Sequence, residues 1–410
     1  MGAARPTAII VGAGIAGLAC ALRLHQAGVH VRVLESADGV GGRMRTDLVD
    51  GYRLDRGFQV FNTGYPEAGR VLDIKALRLR SFSSGMLIFG AGGLHRVMLP
   101  WKHPRHALSG PLSGVGSLKD WAALGAMTFR DMAAPAALLR GGRERSTRSE
   151  LRHWGISEAM IDQLLRPFLS GVLLERKLET SSTFFHLVWR SFARGTIGLP
   201  ALGMGQIPIQ LATRLPSGAL HLGRPVEAIT DDGVLLRDGH EMAAAAVIVA
   251  TDPRSAADLL PEVRAPAMRS VTTFYHAAPR SPLGEATQII DAEGHLADTL
   301  VLTDAAPEYA ADGRALISTS VLGVVGDDHE PQLRARLEEI YGDTRGWRHL
   351  ATYAIRDALP AMLPPLSLRR PVRLASGRYV CGDHRDTSSI QGALVSGRRA
   401  AQAALTDLCP

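Results

Sequence analysis

The chain has 410 residues, 46% of them apolar and 21% charged, with a formal net charge of +6. That composition is ordinary globular material with length for two or three domains, and it excludes a disordered or fibrous chain. The positive excess is mostly arginine and is spread along the chain without an aromatic-interleaved basic stripe, so nucleic acid is not an expected partner.

The first elements form one pattern. A short apolar run, Ala8 to Val11, reads as a buried strand. Gly12, Gly14 and Gly17 follow in the spacing G-x-G-x-x-G, and Ile15 to Gln26 reads as a helix with Leu18, Ala21, Leu22 and His25 on one face. A second strand, His30 to Leu34, ends at Glu35. Each residue type has a mechanical reason in a dinucleotide site. Gly12 permits the tight turn, Gly14 lets a pyrophosphate approach the backbone, and Gly17 lets helix and strand pack closely. The helix N-terminus, with Ile15 and Ala16, faces the phosphates, and Glu35 with Ser36 lies at the ribose. The apolar start lacks a basic n-region and is not read as a signal peptide.

Gly41-Gly42-Arg43 comes next, a second backbone turn near phosphate with a guanidinium beside it. With this motif the sequence resembles flavoproteins of the amine oxidase and phytoene desaturase superfamily, nearer the phytoene desaturase-like branch. The resemblance implies FAD as cofactor and an α/β fold. That fold is a Rossmann-like FAD-binding domain of the GR2 type with an inserted α+β substrate domain. It also places Gly57, Phe58 and Gln59 beside the isoalloxazine; core packing is the competing reading for Phe58 and Phe61.

Residues 81 to 97 read as a hairpin. A second nucleotide fingerprint over Gly90, Gly92 and Gly93 fails, because its third glycine falls at His95 and no helix follows. No other stretch offers one, which argues against a two-nucleotide reductase. Leu118 to Leu139 is apolar and helix-prone, with Pro135 expected to kink or end it. Arg140, Arg143, Arg145 and Arg148 follow; either this is a membrane-surface element or a core helix with a solvated loop, and peripheral membrane contact stays open. Helical spacing of Phe184, Leu187 and Val188 marks another helix. Gly203-Met204-Gly205 resembles the superfamily's return to the FAD domain. His221 to Thr251 alternates as strands with turns at Asp232-Gly233 and Asp238-Gly239, and by resemblance Val226 meets adenine.

A second excursion, Asp252 to Leu368, carries strand-like runs at Val271 to His276, Thr299 to Leu302 and Leu316 to Val321, and a helix at Gln332 to Tyr341. The expected division is 1–80, 200–255 and 369–410 for the FAD-binding domain, and 81–199 with 256–368 for the substrate domain. A strand at Tyr379 to Cys381 ends in Gly382-Asp383, and a helix begins near Ser389 to Gly392. This resembles the superfamily's second FAD motif, with Ser389, Ile390, Gln391 and Ala393 at the cofactor and the helix dipole at the pyrimidine edge.

The three cysteines, Cys20, Cys381 and Cys409, are too few and too scattered for a disulfide framework or a zinc site, so no metal is expected. No run of about 18 apolar residues marks a spanning helix, and a cytoplasmic compartment is the simplest. No lysine follows Lys177, so the lysine that flavin amine oxidases place near N5 is missing. His384, Arg385, Asp386 and Thr387 stand where their aromatic sandwich ends. The resemblance then favours desaturation or dehydrogenation of a lipophilic small molecule, with a cavity built from regions 118 to 139 and 160 to 192. A flavin amine oxidase, a non-redox isomerase or mutase, and a flavin-binding regulator are the alternatives. No catalytic residue is identified; His186, His276, Tyr353 and His384 are the titratable candidates, and Arg385 would suit an anionic group.

Overall fold

The computed structural model describes residues 6–90, 92–98, 114–141, 144–375 and 377–408. Lys102, Arg143, Cys409 and Ala91 lie outside them.

The strand Thr7–Val11 is apolar from Ala8 on because those residues are covered on both faces, as in parallel sheets. It is central in a six-stranded sheet. In spatial order the strands are Leu220–His221, His30–Leu34, Thr7–Val11, Ala246–Val249, Arg378–Val380 and Arg373–Ala375. The first five run parallel; only Arg373–Ala375 is antiparallel. Ile9 pairs with Val247 and Arg32, so beginning, middle and end of the chain share one sheet. The helix Ile15–Gln26 and the C-terminal helix Ile390–Leu408 pack against each other. Their close approach needs Gly397, whose added Cβ would lie 2.3 Å from the Ala16 carbonyl oxygen. A three-stranded meander (Val226–Ile229, Gly233–Leu236, Glu241–Ala243) turns at the two expected Asp-Gly pairs.

A second sheet has seven strands. In order they are Arg348–Pro360, Met268–Ala278, Ala315–Leu322, Asp298–Val301, Gln288–Asp291, Gly85–Gly90 and Gly93–Met98. The helix Glu330–Tyr341 covers one face through Leu333, Leu337 and Ile340, packed with Phe274 and Ile317. The opposite face carries Tyr275, whose hydroxyl donates to the Asp55 carbonyl, and so docks on the first unit.

A helical layer fills the remaining volume. Leu118–Ala133 starts at a capping box: Ser117 Oγ accepts from Asp120 N, and the Asp120 carboxylate accepts from Ser117 N. It breaks at Ala134, and Ala136–Arg140 restarts after Pro135. Together with Arg166–Leu173 and Ser182–Arg194 it encloses a core of Leu124, Met127, Leu164, Leu165, Leu169, Phe185 and Trp189. Each fully buried Leu or Phe there contributes about 1.5–3 kcal/mol of transfer free energy. Leu118, Phe129 and Leu138 are exposed on this layer. Among the described residues no helix is long and apolar enough to cross a membrane.

Candidate active site

One cavity of about 1020 Å³ runs from the parallel sheet to the seven-stranded sheet. Its first end is built from backbone. Gly12 has φ +105° and comes so close to the neighbouring strand that an added Cβ would sit 2.9 Å from the Ala250 carbonyl oxygen. Gly14 caps the helix Ile15–Gln26, and its missing side chain opens onto free space, with nothing within 4 Å. The helix therefore presents unpaired N–H groups and the positive end of its dipole to the cavity.

The turn 41–43 stacks on this one. Gly41 N donates to the Ala13 carbonyl at 2.9 Å, and Gly14 and Gly41 form an isolated parallel bridge. Glu35 is buried where the second strand ends. Its Oε2 accepts from Ala13 N at 2.7 Å and its Oε1 from Ala37 N at 2.9 Å, which aims the carboxylate into the cavity beside Val226.

The expected guanidinium donor is already engaged. Arg43 donates to Asp383 Oδ1 at 2.8 Å and to the Ala358 carbonyl at 2.9 Å. Burial alone would lower Arg43, but the charge and hydrogen bond of Asp383 outweigh it and raise it. Arg43 thus ties the N-terminal turn to the second glycine motif, and its charge at the cavity is shared with a carboxylate. Gln59 Nε2 donates to the Arg43 carbonyl, and Phe58 N donates to Thr273 Oγ1.

Of the sequence-predicted cofactor residues, Gly12, Gly14, Ile15, Ala16, Glu35, Ser36, Gly41, Gly42, Arg43, Gly57, Phe58, Gln59, Val226, Gly382, Asp383, Ser389, Ile390 and Ala393 line the cavity. Two do not. Gly17 is a packing glycine, with an added Cβ only 2.1 Å from the Gly12 carbonyl oxygen. Gln391 points away and accepts from Glu67 N at 2.9 Å. Phe61 is fully buried core, edge-on to Tyr65, whereas Phe58 is half-buried on the cavity wall. The elongated space, the side-chain-free turn at Gly14 and the acid at one end fit a flavin dinucleotide.

The titratable candidates fare differently, for reasons of periodicity. On Ser182–Arg194, Phe184, Val188 and Phe192 line the cavity at four-residue spacing, so His186 faces the other way. There its Nδ1 pairs with Asp131 Oδ2 at 2.7 Å and its Nε2 with Glu150 Oε1 at 3.2 Å. Burial would lower His186; those two carboxylates outweigh it and raise it. On Met268–Ala278 the strand period of two puts Val271 on the cavity and His276 on the opposite face, bonded to Glu330 at 3.1 Å. Burial pushes His276 down to about 4. Tyr353 donates to Asp47 at 3.0 Å. His384 is buried behind Gly382, and Arg385 donates from Nε to the Pro371 carbonyl at 3.0 Å. None of these five lines the cavity. The expected contribution of 118–139 also fails: that helix lies outside Ser182–Arg194, where Thr128 Oγ1 accepts from Trp189 Nε1.

The second end of the cavity is apolar, walled by Phe168, Val172, Phe184, Val188, Trp189 and Phe192 from the two helices. Its floor holds residues that sequence reasoning missed: Gln288, Asp298 and Ser320, brought to one face of the seven-stranded sheet by register. Asp298 is 4% exposed, and burial pushes its carboxyl up to about 7, with Ser320 and Gln288 offsetting part of that effect. The only sequence signal was an acid opening the strand Asp298–Val301, ahead of Thr299, Leu300 and Val301. Among the described residues no cluster could hold a metal ion.

The sequence profile described as flavin containing amine oxidoreductase matches residues 15–405. A hydroxysqualene dehydroxylase from Rhodopseudomonas palustris is 26% identical across 97% of this chain and 98% of its own length. A phytoene desaturase from Cercospora nicotianae is 35% identical over 95 residues, 22% of this chain but only 15% of that protein. Among solved structures, an oxidoreductase from Methanosarcina mazei superposes with a TM-score of 0.73 at 17% identity, over 97% of this chain and 100% of that one; this likeness carries the fold.

Proposed function

The chain belongs to the flavin containing amine oxidoreductase family and is an FAD-dependent oxidoreductase, and on that premise we propose that its substrate is a lipophilic, isoprenoid-like small molecule that it desaturates or dehydrogenates. The observation that carries this reading is the wall of Phe168, Val172, Phe184, Val188, Trp189 and Phe192, which rewards burial of a long apolar substrate. The names of the dehydroxylase and the desaturase point to the same chemical class.

When bound, FAD supplies the hydride acceptor for such a step. The chain's own residues do the rest. Gly14, Ile15 and Ala16 would bind the pyrophosphate through backbone N–H groups, with Gly12 shaping the turn while its own N–H donates to the Leu34 carbonyl at 2.7 Å; Glu35 would hold the adenosine ribose, and Val226 would meet the adenine. Gly57, Phe58 and Gln59 line the cavity where they would hold the ring system, and the N-terminus of Ile390–Leu408, with Ser389 and Ile390, would supply N–H donors to it. The aromatic wall excludes water from the reacting carbon. Residues 81–199 and 256–368 then form the substrate side, and the remainder holds the cofactor.

No lysine lines the cavity among the described residues, so the polar group that amine oxidation in this superfamily relies on has no counterpart here. The test is a holoprotein purified without detergent exchange, extracted, and analysed by mass spectrometry for bound small molecules. A co-purifying terpenoid or similar lipid that bleaches the flavin band anaerobically supports the reading. Bleaching by polar amines or acids alone refutes it.

A further inference from the structure

Apart from Asp298, only one buried acid among the described residues, Glu175, keeps an oxygen without a hydrogen-bond partner, and that oxygen lies off the cavity with the Arg269 guanidinium 3.8 Å away. Asp55 accepts from Thr46, Met204 N and Tyr309. Asp291 accepts from the backbone of Glu293, His295 and Leu296 and from Arg336. Asp131 is paired with Arg130 and His186. These three are ordinary structural carboxylates whose lone pairs are used.

Asp298 differs in both respects. It lines the cavity, and its Oδ1 has no hydrogen-bond partner among the described residues although the side chain is buried. The overlying helix makes room for it: an added Cβ on Gly171 would lie 3.3 Å from Asp298 Oδ2. Ser320 is its cross-strand partner, and Gln288 shares the floor. A carboxyl, a primary amide and a hydroxyl therefore converge under a wall that is otherwise aromatic and aliphatic.

We propose that Asp298, with Gln288 and Ser320, is a specificity site that binds a single hydroxyl group carried by an otherwise apolar substrate. The proposal rests on the lipophilic-substrate reading above and narrows it. The donor set decides between ligand chemistries. Ser320 Oγ already shares a hydrogen bond with Thr273 Oγ1 at 3.3 Å, so the open valence is that of Asp298 Oδ1, which the single O–H of an alcohol meets. An ammonium brings three N–H donors to that one open oxygen and must be desolvated against an otherwise apolar wall. A plain hydrocarbon would leave the Asp298 oxygen unsatisfied. The position also behaves as a functional residue should energetically, since an unpartnered buried carboxyl costs stability that an apolar side chain would return.

The test uses FAD-loaded protein and three C15 probes: farnesol, the matching hydrocarbon and farnesylamine, each titrated while the flavin absorbance band is followed. Wild type is expected to bind farnesol about 10-fold more tightly than the hydrocarbon, the value of one buried hydrogen bond. Asp298→Leu should erase that preference and leave hydrocarbon affinity within about 3-fold, while its Tm stays level or rises. Asp298→Ala is the second variant should leucine not load FAD, with the same loss of preference expected. Equal affinity for alcohol and hydrocarbon in wild type overturns the assignment but leaves the lipophilic reading standing. A preference that survives in both variants overturns it too, as does tighter binding of the amine. If no probe binds wild type, the lipophilic reading falls and takes this one with it.

Discussion

Tyr309→Phe removes one oxygen and tests the buried contact between the turn Pro307–Tyr309 and the strand Tyr52–Asp55. Tyr309 OH donates to Asp55 Oδ2 at 2.8 Å in a fully buried position, while Met204 N donates to Oδ1 at 2.9 Å. Burial raises Asp55 to about 6, and the hydrogen bonds from Thr46, Tyr309 and Met204 offset part of that rise. Its folded value lies above its unfolded one, so the stability it contributes is fully present below about pH 4. That contribution is lost as pH rises through about 6, and the loss is worth roughly 3 kcal/mol by pH 8. Removing the tyrosine donor disfavours the ionised carboxyl most. A hydrogen bond to a charged group is worth about 1.5–3 kcal/mol and one to a neutral group about 1 kcal/mol. The variant should therefore lose about 1 kcal/mol at pH 5 and about 2–3 kcal/mol at pH 8. Urea unfolding of the FAD-saturated proteins at both pH values reads this directly. Equal losses at pH 5 and pH 8 would show that Asp55 does not titrate in this window and would refute the reasoning.

Gly17→Ala must place a methyl 2.1 Å from the Gly12 carbonyl oxygen. It should cost more than about 2 kcal/mol and lower the flavin-to-protein absorbance ratio after purification. Glu35→Gln keeps one acceptor oxygen where two are used, for Ala13 N and Ala37 N; calorimetry on apoprotein should find FAD binding weakened by about 10-fold. His186→Gln tests the buried pair with Asp131. His186 is raised, so its contribution is present below about pH 6.5 and fades as pH rises through the raised value. The Tm gap between wild type and variant should narrow from pH 6 to pH 9. Glu150, which His186 and Arg145 hold down at about 2, would lose its own contribution only in strong acid.

The cofactor half was legible because its constraints are local. Strand, glycine turn, helix and acid follow each other within about 30 residues in a βαβ unit, and the chemistry dictates residue type at each step. Boundaries such as Ile15–Gln26 and His30–Leu34 followed from that pattern. The substrate half was not legible in the same way. Its longest strand, Arg348–Pro360, is half-exposed along most of its length and lacks a clean alternation. His186, His276 and Asp298 are all buried titratable groups in apolar runs. Only the rotation of a helix or the parity of a strand, set by tertiary packing, sends the first two away from the cavity and the third into it. The outward place of helix Leu118–Ala133 has the same cause: its apolar stripe fits a neighbouring helix as well as it would fit a ligand.

The ion pair between Arg43 and Asp383 joins residues 340 positions apart, across strands drawn from both extremities of the polypeptide. The helix Ile390–Leu408 covers one face of Ile15–Gln26, so residues 1–377 alone would leave that face open and Arg43 without its carboxylate. Coexpression of residues 1–377 and 378–410 as separate pieces would show whether the two parts reassemble into one coenzyme site.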